Sequence, residues 1–400
     1  MTKESPPPER TAMLRIEKLK IERFRSLKSV EWEPGALNVV IGPNASGKSN
    51  LLKVLELLRA AARGELKQFI RDEGGMGQVL WDGSGSGFMV LARFRSGSAP
   101  DEDSRHLRYV LSAERLGASA DYVLDIENLK RLPEDLLLSN NGSNAWLLGE
   151  NGDKRPVHPA KGASGEPVLS IASSVVAHPD ISNLAGAMES WAIYPLPNTG
   201  KDSKIRQATV ARYETSLDPD GQNLVSVLHT LYERERSFRE NLDLSLKAVF
   251  GDEYEALNFP PVARQNIELE IQWKSLSKGR PAADLSDGTL RFLYLFCILG
   301  NPNPPPLIAI DEPETGLHPS MLPVICETAV EASSRSQIIF TTHSPEFLNG
   351  FRDATPVTTV VESHEGETRL RVVSGESLDH WLKEYTLGEL FRTGELEAST

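Results

Sequence analysis

Cysteine is scarce in this chain of 400 residues: only Cys297 and Cys326 occur, far apart and in apolar surroundings. That excludes a disulfide framework and a cysteine metal site, and it predicts a reducing compartment. Long apolar runs are missing as well. The longest, Phe292 to Leu299, is far short of the roughly 20 residues of a membrane span, so no membrane partner is expected. The N-terminus is polar and rich in proline and glutamate, unlike a secretion signal. Together these absences predict a cytoplasmic protein. Basic excess is absent too: 43 Lys and Arg face 56 Asp and Glu, a net charge of −13. A broad, non-specific nucleic-acid surface is thereby excluded, although a local basic groove is not, because the potential that acts is local. One cluster stands out against the acidic background, namely Lys201, Lys204, Arg206 and Arg212. It reads either as a phosphate-tracking surface or as a solvated loop. Nothing between Gly97 and Pro281 sustains heptads, which excludes long coiled-coil arms, and no internal repeat is visible.

What remains is ordinary for a globular protein with a real core: 40% hydrophobic and 25% charged residues. Residues 1 to 12, with Ser5-Pro6-Pro7-Pro8, read as a disordered tail. Leu14, Ile16, Leu19 and Ile21 mark a half-buried strand, and a second strand near Val30 to Glu33 ends at the turn pair Pro34-Gly35. Leu37 to Ile41 is a short β-branched run of the kind that forms a central strand, and Leu51, Leu52, Val54, Leu55 and Leu58 then recur at helical spacing. Strands are expected at 88 to 95, 106 to 114 and 120 to 127. The stretch from 139 to 167, dense in Asn, Gly, Pro and Ser, reads as a long loop. A helical region at 221 to 250 and a strand at Ile267 to Trp273 precede a buried helix at Leu290 to Leu299. Buried strands follow at Leu307 to Ile310 and Ile338 to Phe340, with a helix at 320 to 333 between them. A strand pair and a short helix at Leu378 to Tyr385 come after Pro345.

Two motifs carry chemistry on their own terms. Gly42-Pro43-Asn44-Ala45-Ser46-Gly47-Lys48-Ser49 fits the P-loop pattern in full, with a buried strand before it and an amphipathic helix after it. Glycine lets the backbone wrap closely around phosphates, and the helix N-terminus adds N–H groups and a favourable dipole. Lys48 supplies a mobile cation for the β- and γ-phosphates, and the Ser49 hydroxyl reaches Mg2+. Residues 42 to 50, Asn50 included, are thus the expected ATP cradle. Leu307 to Ile310 leads into Asp311-Glu312, the form of a Walker B element. Asp311 can hold Mg2+ through its water shell, and Glu312 can orient or deprotonate the attacking water.

A third motif narrows the family. Leu285-Ser286-Asp287-Gly288-Thr289 resembles the LSGGQ signature of ABC ATPases, with Asp287 and Thr289 replacing a glycine and the glutamine. Pro313-Glu314-Thr315-Gly316-Leu317-His318-Pro319 resembles the D-loop and its continuation in the RecF, OLD and SMC-like branch. Thr341-Thr342-His343-Ser344-Pro345 resembles the switch-histidine segment, and Ile21 to Leu27, with Arg25, resembles the element that flanks the nucleotide there. Gln78 in Gly74-Gly75-Met76-Gly77-Gln78 is taken as the Q-loop glutamine and a Mg2+ contact, with Gln68 as its competitor. The resemblance covers residues 13 to 95 and 280 to 350. It implies an α/β fold: a P-loop ABC-type head with a mixed β-sheet core, an antiparallel β subdomain and a helical insertion lobe. It also implies one ATPase domain over 13 to 400, its motif halves at 13 to 130 and 281 to 400 enclosing a lobe at 131 to 280.

The same resemblance implies ATP and Mg2+ as ligands, with Lys48, Glu312 and His343 as catalytic groups. It implies a homodimer whose composite ATP sites take Ser286 and Gly288 from the opposite chain. The setting it suggests is DNA repair or anti-phage defence, with DNA or a separate effector nuclease as partner. A slow, ATP-gated scaffold that never touches DNA is the alternative. A transporter subunit is disfavoured because most of the chain lies between Ser49 and Leu285. An OLD-type nuclease would need a toprim domain with clustered carboxylates, which the residues after Pro345 do not suggest.

Overall fold

The computed structural model describes residues 13–83, 85–96, 106–117, 119–133, 135–157, 165–263, 265–352, 354–373 and 386–393. The proline-rich tail and the helix expected at Leu378 to Tyr385 lie outside them. The chain divides into two compact units, one of Met1–Glu33 with Lys53–Trp191, the other of Pro34–Leu52 with Ala192–Thr400.

The first unit is built on an eight-stranded antiparallel sheet. Its order is Leu27–Trp32, Leu14–Phe24, Gly87–Ser96, His106–Arg115, Tyr122–Arg131, Asp135–Asn140, Ala145–Leu148 and Lys154–Val157. Alternation puts Leu14, Ile16, Ile21, Phe88, Val90, Phe94, Leu107, Tyr109 and Leu111 inside. The long loop expected at 139 to 167 is corrected here. Its first half is two further hairpin strands, because Asn141-Gly142 and Asn151-Gly152 are the turns between them, with Gly142 at φ +77° and Gly152 at φ +80°. Residues 158–164 lie outside the described set.

In the second unit the mixed sheet comprises β1 (Leu37–Ile41), β2 (Ala192–Tyr194), β3 (Leu307–Asp311), β4 (Gln337–Thr342), β5 (Val357–His364) and β6 (Glu367–Val373). The order is β2-β3-β4-β1-β5-β6, parallel throughout except for the β5–β6 hairpin. Val39 to Ile41, Leu307 to Ile310 and Ile338 to Phe340 are buried on both faces, which is why these strands read as unbroken apolar runs. The longer helices are α1 (Lys48–Arg63), whose first turn belongs to this unit, α2 (Leu224–Arg234), α3 (Arg236–Phe250), α4 (Asp287–Leu299) and α5 (Leu322–Ala332). From Thr289 to Leu299 only Arg291 of α4 escapes burial, so its apolar run is a core helix. The helical stretch at 221 to 250 is two helices, broken at Glu235, which takes an extended conformation. The strand expected at Ile267 to Trp273 is likewise two pieces, Asn266–Ile267 and Glu270–Trp273, in separate three-stranded sheets.

Candidate functional site

The register of β3, β4 and β1 sets the site. Asp311 pairs with Thr341, and Thr342 pairs with Ile41, so three adjacent parallel strands end at one level. The P-loop, Asp311-Glu312 and His343 all leave the sheet from these carboxyl ends, the ordinary ligand position in such sheets.

Gly42 is forced by its surroundings. It has φ +153°, and a Cβ there would lie 2.2 Å from the Val361 carbonyl oxygen of β5. Ala45 turns at φ +64° and Gly47 at φ +107°, which curls residues 43 to 47 ahead of α1. The Ser46 carbonyl accepts from Thr368 Oγ1 of β6 at 2.9 Å, a buttress 322 residues away that sequence inspection missed. Lys48 is buried and folds back on the loop, donating Nζ–H to the carbonyls of Gly42 at 2.6 Å and Pro43 at 2.9 Å. Burial lowers its pKa, and Glu312, Asp311 and Glu314 oppose that shift. Ser49 is exposed at the first turn of α1, and Asn50 N–H returns to the Gly47 carbonyl at 3.0 Å.

On the opposite rim Asp311 accepts a hydrogen bond from Thr341 Oγ1. Glu312 stands at φ +46°, and its N–H donates to the Thr341 carbonyl at 3.0 Å. Its Oε1 lies 3.0 Å from His343 Nδ1. Glu314, which the sequence reading left without a role, sits just behind. Thr342 Oγ1 donates to its Oε1 at 2.5 Å, and the same oxygen is 3.8 Å from His343 Nδ1. Burial raises the Glu314 carboxyl pKa, with the Thr342 bond opposing.

These residues fit a magnesium-bound triphosphate. Among the described residues the buried Ser46 Oγ has no hydrogen-bond partner, the cradle at Gly42 has no room for a side chain, and α1 presents its N-terminal N–H groups. Among the described residues, no three His, Cys, Asp or Glu side chains could hold a metal ion by themselves. Ser49 and Asp311 would therefore share Mg2+ with phosphate oxygens and water.

Ser286 caps α4: its Oγ accepts from Thr289 N–H at 3.1 Å and pairs with Thr289 Oγ1 at 2.8 Å. A Cβ on Gly288 would come 2.9 Å from the Gly316 carbonyl, so the glycine permits close packing on the segment after Glu312. Arg291 Nη1 donates to the Thr315 carbonyl of that segment at 3.0 Å. Of the basic cluster, Lys201, Lys204 and Arg212 are exposed, but Arg206 is not a free surface cation. Its side chain is only 10% exposed and is bonded to the signature segment. Arg25 and Gln78 belong to the first unit. Arg25 has φ +49° and pairs with Glu73, while Gln78 is exposed on the short helix Met76–Val79.

A family model described as "AAA domain, putative AbiEii toxin, Type IV TA system" matches residues 37–349. Among solved structures, an Smc head bound to the C-winged helix domain of ScpA aligns at TM-score 0.54 and 16% identity, over 91% of this chain and 99% of that one. An Smc head with an extended coiled coil, bound to the C-terminal domain of ScpA from Pyrococcus furiosus, aligns at TM-score 0.53 and 16% identity, over 93% and 99%. At this identity the likeness concerns the fold. No curated protein matches the chain. Among the described residues no helix is long and apolar enough to cross a membrane.

Proposed function

We propose, for a chain that belongs to the AAA-domain family matched above and is an ABC-type ATPase, that ATP joins two copies head to tail and that hydrolysis parts them. The observation that carries this reading is the convergence of Lys48, Asp311, Glu312 and His343 at the ends of β1, β3 and β4. Lys48 would exchange the Gly42 and Pro43 carbonyls for β- and γ-phosphate oxygens. Glu312, held toward His343, would accept the proton of the water that attacks the γ-phosphorus. His343 would face the γ-phosphate with Nε2, since Nδ1 is turned to Glu312. Magnesium, held by Ser49 and Asp311, would neutralise charge on the leaving phosphates. Ser286 and Gly288 of a second copy would close the site, offering a hydroxyl and the N-terminus of α4.

For the setting, the family description names a toxin–antitoxin system. That supports defence over DNA repair, with DNA or an effector protein as the controlled partner. The matched Smc heads are bound to ScpA domains, which supports a protein partner seated on the head.

Glu312→Gln tests the reading, because it removes the base and leaves the ligand shell. ATP binding should persist while turnover falls by about 10²–10⁴-fold, and ATP should trap a dimer in sizing experiments. Unchanged turnover would remove Glu312 from the role. Duplex DNA added to the trapped dimer at two salt concentrations decides between partners. Binding that falls steeply with salt supports DNA, and none at low salt supports the protein effector.

A further inference from the structure

The residue that departs most from the ABC signature is Asp287. It brings a negative charge to the first turn of α4, where the family pattern has glycine and where a γ-phosphate would dock. Asp287 carboxylate Oδ1 is met by Arg206 Nη2 at 2.6 Å. The same guanidinium gives Nη1 to the carbonyls of Leu285 at 2.6 Å, Ala282 at 3.1 Å and Ala283 at 3.2 Å, and gives Nε to Thr199 O at 2.7 Å. Five acceptors thus converge on one planar fork, four of them in the turn 282–287 that carries Ser286. A lysine could not reproduce this, since its ammonium is a point donor. With a side chain 10% exposed, Arg206 is spent on this turn rather than on solvent or nucleic acid.

We infer that Arg206 is a positioning residue of the signature, fixing the turn before Ser286 and cancelling the charge of Asp287 against the partner's γ-phosphate. This rests on the composite-site reading. Two consequences follow from charge alone. Removing the cation leaves an uncompensated carboxylate on the turn proposed to meet a polyanion, which repels. Removing both charges restores the neutral pattern of the family. Arg206 and Asp287 therefore act as one unit, and the effects of their removal are not additive.

The experiment is a double-mutant cycle on the full chain with Arg206→Met, Asp287→Gly and the double variant, reading steady-state ATP turnover and ATP affinity separately. Arg206→Met keeps the stem and should lower kcat by at least about tenfold, with ATP affinity of the separate chain unchanged. The double variant should recover the part of that loss that is due to charge, so its kcat should exceed that of Arg206→Met, and Arg206→Lys should fall between Arg206→Met and the native chain. A double variant no better than Arg206→Met would overturn the charge-cancelling role, and so would a loss confined to ATP affinity. If Arg206→Met fails to fold, the comparison of Arg206→Gln, which keeps a donor but not the charge, with Arg206→Gln/Asp287→Gly carries the same two outcomes. Mixing separates this inference from its premise. Arg206→Met chains mixed with Lys48→Ala chains should regain turnover, as Ser286→Arg chains should. Rescue with Ser286→Arg but not with Arg206→Met sinks the Arg206 role alone. Rescue with neither sinks the composite site.

Discussion

At the scale of single residues, Glu312 shows what the site demands. A non-glycine residue at φ +46° is strained by about 1–3 kcal/mol, and bonds into Thr341 and His343 hold it there. The strained turn swings the carboxylate from the end of β3 to the imidazole at the end of β4. Lys48 makes a complementary argument. It is buried, donates to two loop carbonyls and has acidic neighbours. Lys48→Ala should therefore weaken ATP binding by about 10–100-fold, roughly 1.4–2.8 kcal/mol, in a nucleotide titration. Equal affinity would mean that the backbone cradle alone suffices. The P-loop was legible in sequence because phosphate wrapping restricts residue type locally. Arg206, Thr368 and Glu314 were not, because their partners come from elsewhere in the chain. Arg206 in particular looked like surface charge, since a count of basic residues cannot see burial.

Elements were legible where one physical signal dominated. The apolar strands β1, β3 and β4 and the core helix α4 could be little else. Turn-rich sequence misled at 139 to 157, where Asn-Gly pairs close hairpins instead of lengthening a loop. What ties those hairpins down is Glu127, fully buried on Tyr122–Arg131. Its carboxylate accepts from Tyr109 OH at 3.0 Å, Asn140 Nδ2 at 3.2 Å, Val168 N–H at 2.6 Å and Leu169 N–H at 2.9 Å. Glu127→Ala would strand these donors and should cost about 3–5 kcal/mol in urea unfolding. Burial raises the Glu127 carboxyl pKa, and its donors only partly oppose this. A folded-state value above the unfolded one contributes stability that is full below the unfolded value and is lost as pH rises through the folded one. The stability advantage of the native chain over Glu127→Gln should accordingly shrink as pH rises from the unfolded glutamate range upward. An advantage that grows with pH would show the donors outweighing burial.

For the whole molecule, the proposed dimer would have the nucleotide cradle and the signature of one chain close different sites. Within a chain, the start of α4 packs through Gly288 on Gly316, and Arg291 holds the Thr315 carbonyl. The signature is thereby fastened to the segment that follows Glu312, so in that dimer a change at one γ-phosphate would be felt at the chain's other contact. Such linkage fits the proposed two-fold arrangement with two shared sites, in which that contact belongs to a second nucleotide. Two defective chains decide it. Lys48→Ala removes the cradle, and Ser286→Arg fills the signature with a bulky cation, so neither homodimer keeps an intact site. A mixed dimer keeps one, formed by the cradle of the Ser286→Arg chain and the signature of the Lys48→Ala chain. An equal mixture should thus regain at most about a quarter of native turnover per chain, since half the dimers are mixed and each has one site of two. The regained activity should fall on dilution, as pairing is lost, and should saturate with an excess of either chain. If the mixture stays at the sum of its inactive parts while both variants fold and pair, the shared site fails, and a Ser286→Arg chain that turns over normally by itself would place hydrolysis within one chain.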